Sequence, residues 1–321
     1  MKSKKILLYI FIISLFANII ANDKPLLVYF AGKFYVPIIK NIPETTFGGQ
    51  FYTATNYRDP VVIALINNNG WLIMPPVSFS FDTINFSNPV ASPAKPSKFN
   101  YLGTDDWGRD VLARLIYAIR ISLIFALLLT LCSLFIAIII GAIQGYFAGF
   151  VDLLLQRFIE IWSSLPIIFL LIIFSAFIMP SFVSLLFIML AFNWLSLAGF
   201  IRLEFLRLKQ ANFVKSSIAL GAGHGRIIFR HILPNTMPLI LANLPFAIAS
   251  AITTLTALDF LGFGLPIGTP SLGELLAQGK NNLKAYWLGI VGFATTAGIL
   301  ILLIFIGEDL LKKSRGEKDE I

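Results

Sequence analysis

Long stretches without a charged residue constrain this chain more than any other feature. Ile121–Val151 runs for 31 residues free of Asp, Glu, Lys and Arg, and Ile161–Ile201 for 41. One bilayer crossing takes about 20 apolar residues, so the second run has the length of two. Met179-Pro180-Ser181 sits near its middle, and a proline there, lacking its N–H, divides the run into two helices. Ile232–Leu258 and Trp287–Ile306 are further charge-free runs, and Ile6–Ala21 is a shorter one behind Met-Lys-Ser-Lys-Lys. Six membrane spans are expected. Composition agrees, with 57 % hydrophobic and 13 % charged residues among 321, against about 25 % charged in a soluble domain.

The first run also fits a cleaved signal peptide, but Ile19 and Ile20 before Ala21 make a poor small-residue cleavage site. A retained helix is the better reading, and either outcome leaves the next loop outside. Orientation comes from lysine and arginine in the short loops. Arg202, Arg207, Lys209, Lys215, Arg226 and Arg230 gather in one loop, whereas the loop before the last span holds only Lys280 and Lys284. The tail adds Lys312, Lys313, Arg315 and Lys318. Both termini and the basic loop are therefore expected in the cytoplasm. The net charge of +8 reads as topology; nucleic acid is not an expected partner, because no groove-reading or aromatic basic face accompanies it.

One block, Asn22 to about Leu115, is not membrane-like. "LLVYF" (Leu26–Phe30) and "KFYVPII" (Lys33–Ile39) alternate like strands across Ala31-Gly32, a hairpin signal. "NPVASPAKPSKFN" then reads as a linker. A small β-rich outer module is expected. Cys132, the single cysteine, lies in a span, so no internal disulfide forms.

Enzymatic signatures are missing. His224 and His231 have no cysteine partner for a metal site. Gly32-Lys33 and Gly279-Lys280 lack the upstream glycine and the following hydroxyl of a phosphate loop, and "TFGGQ" (Thr46–Gln50) stands without one. No cofactor is expected, and ATP hydrolysis would belong to other chains. Ion-coupled carriers need ionisable groups inside the bilayer. Here Glu160 and Asp259 lie only at span ends.

The basic loop has its own punctuation. Asn212 is a good N-cap for "FVKSSIAL" (Phe213–Leu220), a helix of about 12 Å. Gly221 stands where a left-handed residue closes a helix, "GRIIFRHIL" (Gly225–Leu233) restarts it, and Pro234 ends or redirects it. Phe213, Val214, Ser217, Leu220 and Gly221 fall on one side at 3–4 spacing. A short cytoplasmic helix with an apolar knob is expected; an ordinary surface loop is the alternative.

These residues carry a resemblance. Lys215-Ser216-Ser217, three residues, Gly221, nine residues, then His231-Ile232-Leu233-Pro234 is similar to the coupling loop of ABC importer permeases, with serines for the two alanines and Lys215 for the acidic residue. "YLGTDDWGRDVLARLIYAIRIS" (Tyr101–Ser122), with Gly103, Thr104, Asp105, Gly108, Arg109 and Asp110, resembles the stretch before the second helix in the second permease of peptide and nickel importers. "LDFLGFGLPIGTPSLGELLAQGKNNL" (Leu258–Leu283) resembles that family's outer loop before the last helix. The insert, with "NDKPLLVYF" and "ETTFGGQF", is similar to that of the microcin C and oligopeptide importer permeases.

The resemblance implies an all-α polytopic fold of the type I importer kind, six helices with a β-rich periplasmic insert between the first two. It implies an N-terminal transmembrane helix at 1–22, an insert and linker at 23–115, a permease core at 116–309 with a coupling loop at 202–236, and a cytoplasmic tail at 310–321. Implied partners are a second permease as heterodimer, two ABC ATPase subunits, one of which would take the Phe213–Leu220 helix in a groove, a periplasmic peptide-binding protein, and the bilayer of a bacterial inner membrane. Oligopeptides or peptide-like compounds would be the cargo; a dipeptide or nickel permease, or a membrane scaffold for an ATPase complex, are the alternatives.

Overall fold

A computed structural model of the chain describes residues 2–86, 90–177 and 179–314. The end of the expected tail, including Arg315 and Lys318, and Asn88-Pro89 of the linker lie outside them. The chain divides into two compact units: Leu8–Ile121 with Gly268–Thr295, and Met1–Leu7 with Ser122–Ile267 and Thr296–Ile321.

In the first unit, α1 (Lys2–Leu15, its start in the other unit) is followed after Phe16 by α2 (Ala17–Ile20). β1 (Leu27–Phe30) and β2 (Lys33–Tyr35) form the expected hairpin, with Ala31 and Gly32 both at positive φ, 48° and 80°. β2 stops before Pro37, which has no N–H to give a ladder. A third strand, β3 (Gly70–Ile73), pairs antiparallel with β1, so the order is β2-β1-β3. Between them lies α3 (Pro60–Asn69), which the sequence reading missed; Asp59 caps it through the Val61 amide at 2.8 Å, and Pro60 occupies its first position. The insert is thus a small sheet plus a helix rather than a β-rich module. Val28, Ile42, Phe47, Tyr57, Val62 and Ile66 form its core.

The second unit is helical. Most of α4 (Val111–Phe147) is followed by α5 (Gly149–Ser163), α6 (Ile167–Phe177) and α7 (Phe182–Lys209). After α8 (Asn212–Ala219), α9 (His224–Arg226) passes through a π-helical turn (Ile227–Ile232) into α10 (Leu233–Leu261). α11 (Leu272–Asn281) belongs to the first unit, and α12 (Tyr286–Ser314) ends the described chain. Among the described residues four helices are long and apolar enough to cross a membrane: 111–147, 182–209, 224–261 and 286–314. A fifth counts if Gly149–Ser163 and Ile167–Phe174, bent by 66°, form one span. The expected six included Ile6–Ala21, where the helix of residues 2–20 is interrupted at Phe16 and neither piece reaches that length.

Two expectations about proline need correction. The run 161–201 breaks at Pro166 as well as near Pro180, so Glu160 lies inside α5, where it pairs with Arg157 at 2.7 Å. Pro234 does not end a helix. It sits in the first turn of α10, directly after the π turn, whose Leu233 amide reaches back to the Ile228 carbonyl. The wider turn gives room to a ring that would crowd the preceding carbonyl in a regular α-helix. α10 continues through Pro238 and Pro245, with the Asn235 and Asn243 side-chain amides donating to carbonyls four residues back, at 2.6 and 2.9 Å.

Candidate functional site: a capped surface helix and a buried ion network

α8 is joined to α7 by very little chain. Ala211 donates back to Leu208 at 3.0 Å, closing α7, and its own carbonyl accepts from Val214 and Lys215, opening α8. It is extended, at φ −67° and ψ 145°, and occupies the N-cap position without a side-chain hydrogen bond. With a single extended residue available, Asn212 becomes the first helical residue and not the expected cap. Ser216 and Ser217 turn their hydroxyls onto the Asn212 and Phe213 carbonyls at 2.9 and 2.8 Å, so each serine occupies an alanine's place with its polar atom satisfied.

Gly221 has φ +79°. Its amide donates to Ile218 at 2.9 Å and the Ala222 amide to Ser217 at 3.0 Å, the paired bonds of a Schellman closure. A left-handed residue is required there, and glycine takes that conformation without a Cβ penalty.

The expected single-sided knob is divided. Val214 is fully buried, in a cluster with Ala198, Ile201 and Phe205 of α7, Tyr146 of α4, and Ile227 and Ile232 of the π turn. Burial of one valine contributes about 1.5–3 kcal/mol, enough to seat the helix. Phe213, Ile218 and Leu220 remain exposed, Leu220 at 88 %, beside exposed Lys215 and Arg226. The helix is thus anchored by one side and leaves apolar side chains exposed among polar ones on the other. Leu233 packs partly against the cluster, His231 is half-buried and Pro234 is exposed. Two polar contacts brace the surroundings: Tyr146 Oη with His224 Nδ1 at 2.8 Å, and Arg202 of α7 bidentate on Asp152 of α5 at 2.5 and 2.6 Å.

The second stretch, Gly103–Asp110, builds the entry to α4 in the other unit. Gly103 has φ +79°, and a Cβ on it would lie 2.6 Å from the Ala94 carbonyl oxygen and 2.8 Å from Trp287 Nε1; only glycine fits. The Thr104 hydroxyl accepts from the Ala94 amide at 2.8 Å, and Gly108 is likewise at positive φ. Asp110 caps α4 through the Ala113 amide at 2.7 Å and accepts from Asn100 at 2.7 Å. Burial raises its carboxyl pKa, and these hydrogen bonds oppose that rise in part. Asp105 accepts the Trp107 and Arg109 amides and pairs with the Arg109 side chain at 2.7 Å.

Arg114, fully buried, is the centre of this network. It faces Asp105 at 3.4 Å, donates to the Phe81 carbonyl at 3.0 Å, and pairs with Glu274 of α11, which Arg109 also reaches at 3.2 Å. The sequence reading quoted both stretches without joining them and missed Arg114 and Glu274 as partners. Ser271 does cap α11 through the Glu274 amide at 3.0 Å. Ser-Leu-Gly-Glu thus reads as a local capping box, and that pattern hides the glutamate's long-range role. Among the described residues no group of His, Cys, Asp and Glu could hold a metal.

Comparison with known proteins places the sequence in a family. Residues 137–312 match the family described as binding-protein-dependent transport system inner membrane component. The inner membrane ABC transporter permease protein YejE of Escherichia coli (strain K12) is 51 % identical over 303 residues, 94 % of this chain and 89 % of that protein. The peptidoglycan transport system permease protein YejE of Agrobacterium fabrum is 47 % identical over 325 residues, covering 94 % and 85 %. The oligopeptide transport system permease protein OppC of Lactococcus lactis (strain IL1403) is 35 % identical over 213 residues, covering 65 % and 72 %. The chain therefore belongs to the binding-protein-dependent inner membrane components: it is a non-enzymatic, multi-pass ABC permease that works with ATPase subunits and a substrate-binding protein.

Proposed function

We propose that the chain forms half of the transmembrane path of an importer for oligopeptides or peptide-like compounds of the microcin C type, paired with a second permease chain. α8 carries the reading. It is held to the helical unit by Val214 and closed by Gly221, and it presents Phe213, Ile218 and Leu220 outward among basic residues. That is the shape and chemistry of a helix that seats in a groove of an ATPase. Relatives named for oligopeptide, dipeptide and peptidoglycan transport support a peptide-bearing cargo. A strain lacking the chain is expected to lose uptake of labelled oligopeptides; undiminished uptake would exclude an importing role and favour an ATPase scaffold.

In this reading residues 2–20 are the sixth span. Their 19 helical or near-helical residues extend about 28 Å, close to a hydrocarbon core of about 30 Å. Both termini and the 202–236 loop face the cytoplasm, and 23–115 faces the periplasm. In a Cys132→Ser background, Ser97→Cys should react with an impermeant thiol reagent in spheroplasts and Ser216→Cys should not. Labelling at position 216 in intact spheroplasts would reverse the orientation.

A further inference from the structure

The three-stranded sheet has one face covered by the described chain, with the exposed Lys33 at its edge, and an apolar face that the described chain leaves open. Phe30 and Tyr35 turn inward, their ring centroids 5.4 and 5.6 Å from Phe47, with Val28 and Leu72 beside them in the core under α3. Strand alternation sends Leu27, Tyr29, Phe34, Trp71 and Ile73 the other way. Register sets Phe34 and Trp71 opposite Tyr29, and the centroids stand 5.0 Å (Tyr29–Phe34), 5.9 Å (Tyr29–Trp71) and 6.3 Å (Phe34–Trp71) apart. Phe34 is 65 % exposed, Ile73 47 % and Trp71 42 %. The face carries no charge.

We propose that this aromatic face rests on the bilayer, at the boundary between headgroups and acyl chains, beside the span formed by residues 2–20. The proposal rests on that reading of the N-terminal helix. Two short tethers hold the sheet there. Leu27 follows Asn22 by five residues, at most about 18 Å of chain, and Ile73 precedes Val77 by four, at most about 14 Å. Val77 is clipped to the end of α2, donating to Ile20 at 2.9 Å and accepting from Asn22 at 3.1 Å, and Leu26 donates to Ile73 at 2.8 Å. The sheet's Leu27–Ile73 end is therefore fastened close to the point where the helix leaves the membrane. Tryptophan and tyrosine are the side chains enriched at that depth, with ring bodies in the apolar layer and polar tips in the wet one. A binding protein that docks and departs would leave such a face bare between visits, an aggregation hazard; lipid is always present.

The test uses the full chain, Cys132→Ser, in nanodiscs of phosphatidylethanolamine with phosphatidylglycerol. Spin labels go at Phe34→Cys, at Val61→Cys on α3 (66 % exposed, on the covered side of the sheet), and at Ile12→Cys in α1. The Phe34 label should collide with lipid-dissolved oxygen, and its accessibility to an aqueous nickel chelate should be several-fold below that of the Val61 label. A Phe34 label open to the chelate while the Ile12 label sits in lipid overturns this proposal and leaves the proposed function standing. A Phe34 label shielded from both reagents assigns the face to a protein neighbour, and shielding only after binding protein is added assigns it to that protein; either overturns the lipid assignment. An Ile12 label in water removes the anchoring span, and both readings fall.

Discussion

Gly221→Val is expected to leave the chain inserted at normal abundance while peptide uptake falls about five- to thirtyfold. Gly221 holds φ +79° in the closure of α8, and a left-handed conformation costs an L-residue about 1–2 kcal/mol, a factor of about 5–30 in the population of the native turn. That is too little to unfold a bundle of membrane helices and enough to misaim a helix of two turns. No atom lies within 4 Å of a Cβ built at this glycine, so the chain itself offers no clash, and the penalty is conformational unless a docked ATPase adds one. Asparagine separates the two, because it tolerates the left-handed region yet projects a side chain. Activity restored in Gly221→Asn assigns the loss to the backbone; equal loss in both variants assigns it to a close-fitting partner. Gly223→Val should be milder, since φ there is −67°, and so should Gly225→Val, in α9 with open space around it. Full uptake by Gly221→Val would remove the coupling role from α8.

Arg114→Ala is expected to act on the fold and not on coupling. It takes away one of the two arginines paired with Glu274 and removes a charge facing the buried Asp105. Breaking a buried pair from one side costs about 3–5 kcal/mol, against a total stability of about 5–15 kcal/mol for a typical domain. Glu274 is 22 % exposed and keeps Arg109 at 3.2 Å, which points to the lower end. The variant should accumulate poorly and show early protease cuts within residues 8–121. Replacing both partners, Arg114→Met with Glu274→Met, should recover most of the loss, because no charge is then left unpaired. An Arg114→Ala chain of normal abundance and protease resistance would mean that water already serves these groups.

What could be read from sequence followed a physical division. Charge-free runs announce membrane helices, because the bilayer selects residue by residue. Gly221 announces its conformation because the demand on it is local. Val214 and Leu220 share a spacing, and which of them turns inward depends on how α7 and the π turn pack against α8, which the local pattern does not encode. Pro234 misleads for a related reason: the rule that proline breaks a helix assumes α geometry, and the preceding turn is π. α3 ends in Asn67-Asn68-Asn69-Gly70, a turn-like composition that masks both the helix and the strand starting at that glycine. The Arg114–Glu274 pair joins positions 160 residues apart, a separation at which capping and periodicity carry no information.

The way α8 is attached has a mechanical consequence. On one side two residues, Gln210 and the extended Ala211, link it to α7; on the other, four residues, Leu220 to Gly223, link it to the continuous helix beginning at His224. Val214 pins its middle to side chains of both helices. A part mounted so closely at both ends behaves as a yoke. In the proposed coupling role a push on it would be shared between the two helices, and one more extended residue in the Ala211 joint, about 3.5 Å of chain, would be lost travel at the far end. The joint's shortness would make such a transmission stiff.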